Sequence, residues 1–213
     1  MKIFYYKLIF IANFDMIKDV IEYSKEEKNM KKYEEEKYLL KNIEDKIYPW
    51  VKGDLTDHMA LNGKNISMED TPVISFVGDL KIIFVINRGN DVYEILKDKM
   101  LPEDCRIEEL YYKACQNLAR DVEFVISQTL YGGFGIIADG HHEASSLCFK
   151  HIWQMCTEKL NDDLIIIAPA KDTVVFIPAK DKERLSYMKE YAQQAYERNQ
   201  DKISITPLLF SNM

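Results

Sequence analysis

A chain of 213 residues that is 47% hydrophobic and 30% charged has the composition of a globular protein, and the length for one sizeable core or one core with a smaller appendage. Its formal net charge of -7 excludes the basic footprint of a nucleic-acid binder, so no nucleic-acid partner is expected. The four cysteines, Cys105, Cys115, Cys148 and Cys156, make no C-x-x-C pair and read as free thiols in a reducing compartment, which puts the expected location in the cytoplasm.

Met1 to Phe14 is rich in Ile, Phe, Tyr and Leu, but Lys7 interrupts the run and no small-x-small cleavage site follows. The stretch is short of the roughly 20 apolar residues that cross a bilayer. It reads as a buried strand, or as an extension upstream of a later start at Met16 or Met30, and no membrane association is expected. From Asp15 to Tyr48 there is no Gly or Pro, and Ile17, Val20 and Ile21, then Met30, Tyr33, Leu40, Ile43 and Ile47, recur at helical spacing. Pro49 ends that helical pattern, and the mixed charges read as its solvated face. Val51 to Thr71 has little periodicity. A boundary is therefore expected there, with a charged N-terminal helical segment at 1–70 and an α+β domain at 71–213.

After Pro72 the texture changes to short apolar runs between turn residues. Val73 to Val77, Lys81 to Asn87 and Val92 to Leu96 are predicted strands, the last two joined by Arg88-Gly89-Asn90-Asp91, where Gly and Asn supply positive φ. A helix is predicted from about Asp104, as N-cap, to Arg120. The pattern recurs twice. Val122 to Leu130 and Phe134 to Ala138 precede a helix from about His142 to Leu160. Leu164 to Ala168 and Thr173 to Ile177 precede a helix opened by Asp181, and Ile203 to Phe210 reads as an edge strand because Pro207 cannot donate in a central ladder. The expected fold is α+β: an antiparallel sheet built from three hairpin-helix (ββα) units, with helices packed mainly on one face, after the N-terminal helical segment. Apolar runs such as Leu164 to Ile167 imply strands covered on both faces in places.

The stretch Asp139-Gly140-His141-His142-Glu143-Ala144-Ser145-Ser146 places two of the four histidines and two carboxyl groups between a strand end and a predicted helix start. A catalytic reading makes Glu143 or a histidine a general base, with Asp139, His141, His142 and Glu143 as the machinery of a small hydrolase or transferase. Another lets free N–H groups of the helix start near His142 hold a small anion. The plain alternative is that Asp139-Gly140 turns the chain while neighbouring polar groups cap the helix. Cys148, His151 and Cys156 share one side of that helix. Neither H-E-x-x-H nor a paired-cysteine spacing accompanies them, so they read as packing residues, and no metal or other cofactor is expected. Gly132-Gly133-Phe134-Gly135 misses the dinucleotide fingerprint, and neither a G-x-x-x-x-G-K-[ST] loop nor a G-x-S-x-G elbow is present. Lys171 and Asp172, at a hairpin tip, read either as a surface ion pair or as groups facing a ligand.

Several of these stretches occur together: Asp79-Leu80, Met100-Leu101-Pro102, Asn117-Leu118-Ala119, Tyr131-Gly132-Gly133, Asp139-Gly140 with Glu143-Ala144-Ser145, Trp153, Asp163-Leu164 and Pro169-Ala170-Lys171-Asp172. As a set they resemble the YtpQ-like bacterial family of unknown function, over about Thr71 to Phe210. The resemblance implies a cytoplasmic α+β protein with no established catalytic residues or cofactor. It marks Ser145, Lys171 and Asp172 as candidates for a shared ligand or partner surface, and an arginine often stands at the position of Lys171 in that family. With no catalytic motif in the chain, the expected role is a non-enzymatic binding or accessory module. Its protein partner is expected to meet the N-terminal helical segment.

Overall fold

A computed structural model describes residues 6–7, 43–53, 59–61, 64–66 and 70–211. The helical expectation for residues 15–42 lies outside the described residues. Within them the strands are β1 (Tyr6–Lys7), β2 (Ile47–Lys52), β3 (Met59–Leu61), β4 (Lys64–Ile66), β5 (Val73–Ser75), β6 (Lys81–Asn87) and β7 (Tyr93–Ile95), followed after helix α1 (Ile107–Asp121) by β8 (Val125–Gln128) and β9 (Phe134–Ile137). Helix α2 (Lys150–Leu160), β10 (Leu164–Ala170), β11 (Thr173–Pro178), α3 (Lys182–Arg198) and β12 (Leu208–Phe210) complete the order. The protein is α+β with antiparallel sheets. No helix among the described residues is long and apolar enough to cross a membrane.

The strands do not gather into one sheet. A six-stranded sheet runs β1-β8-β9-β11-β10-β12, a four-stranded sheet has β6 paired with β2, β5 and β7, and β3 and β4 form a separate hairpin. The turn after β6 has the expected positive φ at Gly89 and Asn90, and Asp91 adopts it as well. Nor do the helices share a face. On the six-stranded sheet, Ile126, Ile136, Leu164, Ile166, Val174 and Phe176 pack with Ile152, Trp153 and Cys156 of α2, while Ile167, Val175 and Ile177 pack with Met188 and Ala192 of α3. Side chains alternate across a strand, so the continuous run in β10 supplies both faces. On the four-stranded sheet, Ile47, Phe84 and Ile86 pack with Leu110 and Ala114 of α1. Its other face turns Tyr48, Trp50, Val85 and Tyr93 into the main core, which both sheets share.

Three boundaries differ from the sequence reading. Ile47–Lys52 is a strand paired residue by residue with β6, so the sheet draws on residues ahead of the expected boundary near 70. Pro49 sits in β2 at the sheet edge. Its carbonyl accepts from the Ser145 hydroxyl rather than from β6, so the missing N–H on the same side removes no ladder bond. Helix α1 begins at Ile107 with Arg106, not Asp104, in the cap position, because the Cys105 N–H closes a separate turn onto the Pro102 carbonyl. The helix expected from His142 is a 3-10 turn over Ala144–Cys148, a break at Phe149, and then α2. Asp181 does cap α3, accepting from the Arg184 N–H at 3.1 Å.

Candidate functional site

The segment 138–146 folds around its own carboxyl groups. One Asp139 oxygen accepts from the N–H groups of His141 and His142, each at 3.0 Å, and one Glu143 oxygen accepts from those of Ala138 at 3.0 Å and Gly140 at 2.9 Å. The Ser145 and Ser146 N–H groups donate to the carbonyls of His142 and Glu143. The His141, His142, Ser145 and Ser146 amides that an anion at a helix start would use are thus taken up within the chain, and α2 itself starts eight residues after His142.

His142 is 1% exposed. Its Nδ1 lies 2.8 Å from the second Asp139 oxygen, and its ring is boxed by Tyr48, Trp50 and Tyr93, with centroids 5.3, 6.2 and 5.3 Å away. Burial pushes the Asp139 carboxyl up, but the hydrogen bonds and charge of His142 and the two amides outweigh it and hold the group at a pKa of about 2. His142 Nε2 and one Glu143 oxygen are buried without a hydrogen-bond partner among the described residues, and Glu143 is 4% exposed. The His141 ring leans on Tyr93 at 5.1 Å, with Nε2 3.8 Å from an Asp91 oxygen.

The second expected loop meets the first. The Ala144 N–H donates to the Lys171 carbonyl at 2.9 Å, and the Lys171 ammonium sits 2.8 Å from Asp201 and 5.3 Å from the centre of the Trp50 ring. Asp172 points elsewhere, accepting at the surface from Asn199 at 2.8 Å and Thr173 at 3.0 Å. Ser145 is not a surface group: it is buried, its hydroxyl spent on the Pro49 carbonyl at 2.7 Å. Cys148 is engaged by Cys115 and Tyr111, and the contact with Cys115, then burial, raises its thiol pKa. Burial lifts Cys156 to about 12, which keeps its thiol protonated and poorly suited to a metal.

Tyr48, Trp50 and Lys52, alternate residues of β2, form the wall on which these loops converge, together with Tyr93 and Asp201. The helical reading of residues up to Tyr48 hid this set. Its signal was the run Ile47-Tyr48-Pro49-Trp50-Val51, which also fits an edge strand containing proline. Two surface clefts, of about 320 and 250 Å³, are walled by other residues. Among the described residues no three His, Cys, Asp or Glu side chains come together as a metal site. No family model, curated protein or solved structure matches the chain.

Proposed function

We propose that the chain is a non-enzymatic binding or accessory module that meets a protein partner through the tip of the β8–β9 hairpin and the adjoining face of α3. The observation that carries this reading is Leu130, a fully exposed leucine at the hairpin tip that adds nothing to the core. Beside it the Tyr131 ring lies 5.6 Å from that of Tyr191, and Tyr187 and Tyr191, one helical turn apart, are both exposed. Most other outward positions of α3 are charged or amide side chains. An aromatic and aliphatic centre within a polar rim is the arrangement that anchors protein interfaces. The hydrolase or transferase alternative is weaker, since His142 and Glu143 are buried and the surrounding amides are engaged. The N-terminal segment as a further contact, a cytoplasmic location, the hairpin-helix unit as the repeating element of 71–213 and kinship with the YtpQ-like family belong to the same proposal.

The test uses tagged wild-type protein and a Leu130→Asp, Tyr187→Ala double variant as baits in extracts of the native host. The variant is expected to keep its circular dichroism and Tm and to lose partners that the wild type retains. Identical partner sets would sink the proposal.

A further inference from the structure

Two lysines share one carboxylate beneath Trp50. Lys52 lies 3.5 Å from one oxygen of Asp201 and Lys171 lies 2.8 Å from the other, and both ammonium groups sit 5.3 Å from the centre of the indole ring. The Lys52 side chain is 2% exposed, that of Asp201 12% and that of Lys171 17%. Among the described residues the cluster therefore holds two amines and one counter-charge, and a buried charge without a full partner is costly. At 3.5 Å the Lys52 contact is longer than a charge-assisted hydrogen bond, which closes to about 2.7–2.9 Å. Contact with the indole face offsets part of the cost but supplies no acceptor. A second group points the same way: the Trp50 Nε1–H is buried and has no hydrogen-bond partner among the described residues, and an unpaired buried donor is rare enough to need a reason. Lys52 and the Trp50 Nε1–H are both donors, and one acceptor carrying negative charge would answer both. We infer that Lys52, Lys171 and the Trp50 indole N–H form a binding site for a compact oxyanion, the phosphate or carboxylate group of a small ligand, entered past Lys171 at the turn between β10 and β11.

The graded exposure sets the direction of entry, because solvent reaches Lys171 and Asp201 but not Lys52. Burial first, then the neighbouring Lys171, lowers the Lys52 pKa, against the pull of Asp201. A bound oxyanion reverses that balance, so its binding brings proton uptake at Lys52 above the lowered pKa. This site is separate from the Leu130 surface and shares the Trp50 ring with the box around His142.

Inorganic phosphate and acetate are titrated into the full-length protein against sodium chloride at matched ionic strength, with Tm and, in a Trp153→Phe background, Trp50 fluorescence as readouts. At about a hundredfold excess over Kd, one or both anions should raise Tm by about 5 °C or more relative to chloride. Lys171→Met should weaken the response at least about tenfold, the loss expected for one charge-assisted contact. Lys52→Met, which keeps the shape and removes the buried charge, should abolish the response without lowering the anion-free Tm. Lys202→Met, an exposed lysine beside Asp201, should leave the response unchanged. No effect of either anion beyond chloride, or equal weakening in the Lys171 and Lys202 variants, would overturn the assignment. Should Lys52→Met fail to fold, the comparison of Lys171 with Lys202 decides alone.

Discussion

Asp139 does the work that a helix N-cap would do in a simpler junction, and it does so from a loop. Its two oxygens hold two amides and the His142 ring, so ionisation of one side chain fixes the path of the chain beneath Tyr48, Trp50 and Tyr93. The folded pKa of about 2 lies below the ordinary 3.8. A depressed carboxylate pKa contributes stability that is fully present above the unfolded value and is lost as pH falls through the folded one. The contribution of Asp139 is therefore intact at neutral pH and fades between about pH 4 and pH 2. Solvent reaches part of this carboxylate, so about 1 kcal/mol is expected rather than the full value of the shift. Urea denaturation of wild type and Asp139→Asn should differ by that amount at pH 6, by about half of it near pH 3, and converge only at about pH 2. A gap that stays constant over this range would show that the ionised form carries none of the stability. The chemistry of Asp139 and Glu143 was legible as a choice between catalysis and capping. What the sequence could not supply was which amides these oxygens reach.

The helices show how far local signals extend. Asp181 opens α3 in a capping position that its residue type announces, and Asp181→Ala should cost about 1 kcal/mol in chemical denaturation. A loss below about 0.3 kcal/mol would assign the cap to the backbone alone. Strands β6, β9, β10 and β11 were also legible, because apolar runs bounded by Gly, Asn, Asp and Pro depend only on neighbours in sequence. Segments whose hydrogen bonds go to distant partners were not. Ile47 and Tyr48 look helical when joined to the charged stretch before them, and instead open β2 because β6 supplies six paired residues. Asp104 lost its cap to the turn that Pro102 makes. The junction after His142 closes as a 3-10 turn, with the Ser145 and Ser146 N–H groups donating three residues back, while Asp139 and the Lys171 carbonyl, both outside the turn, take up the amides before these.

Two sheets become one molecule where β2 ends against the segment that follows α3. The N–H groups of Ile203 and Ser204 donate to the carbonyls of Pro169 and Ala168, which lays residues 203–204 along β10, and Gly53 then packs its α-carbon against the Ile203 carbonyl. Lys52 and Asp201 meet one step away, so the oxyanion site inferred above lies on this seam. Residues far apart in sequence build it, which is why periodicity and turn letters left Lys52, Trp50 and Asp201 unmarked. Gly53 needs no unusual φ; it needs space, since a methyl group there would run into the Ile203 carbonyl. In an open site Gly→Ala stabilises by about 0.4–1 kcal/mol through the unfolded chain. Overpacking against backbone works in the opposite direction and costs about 1–3 kcal/mol. The close contact should dominate, so Gly53→Ala is expected to lower stability by about 1–2 kcal/mol in urea denaturation. It should also shift the fluorescence of the neighbouring Trp50 in a Trp153→Phe background. A variant as stable as wild type or more so would mean that the seam opens easily, and the two sheets would then have to be treated as separately moving parts.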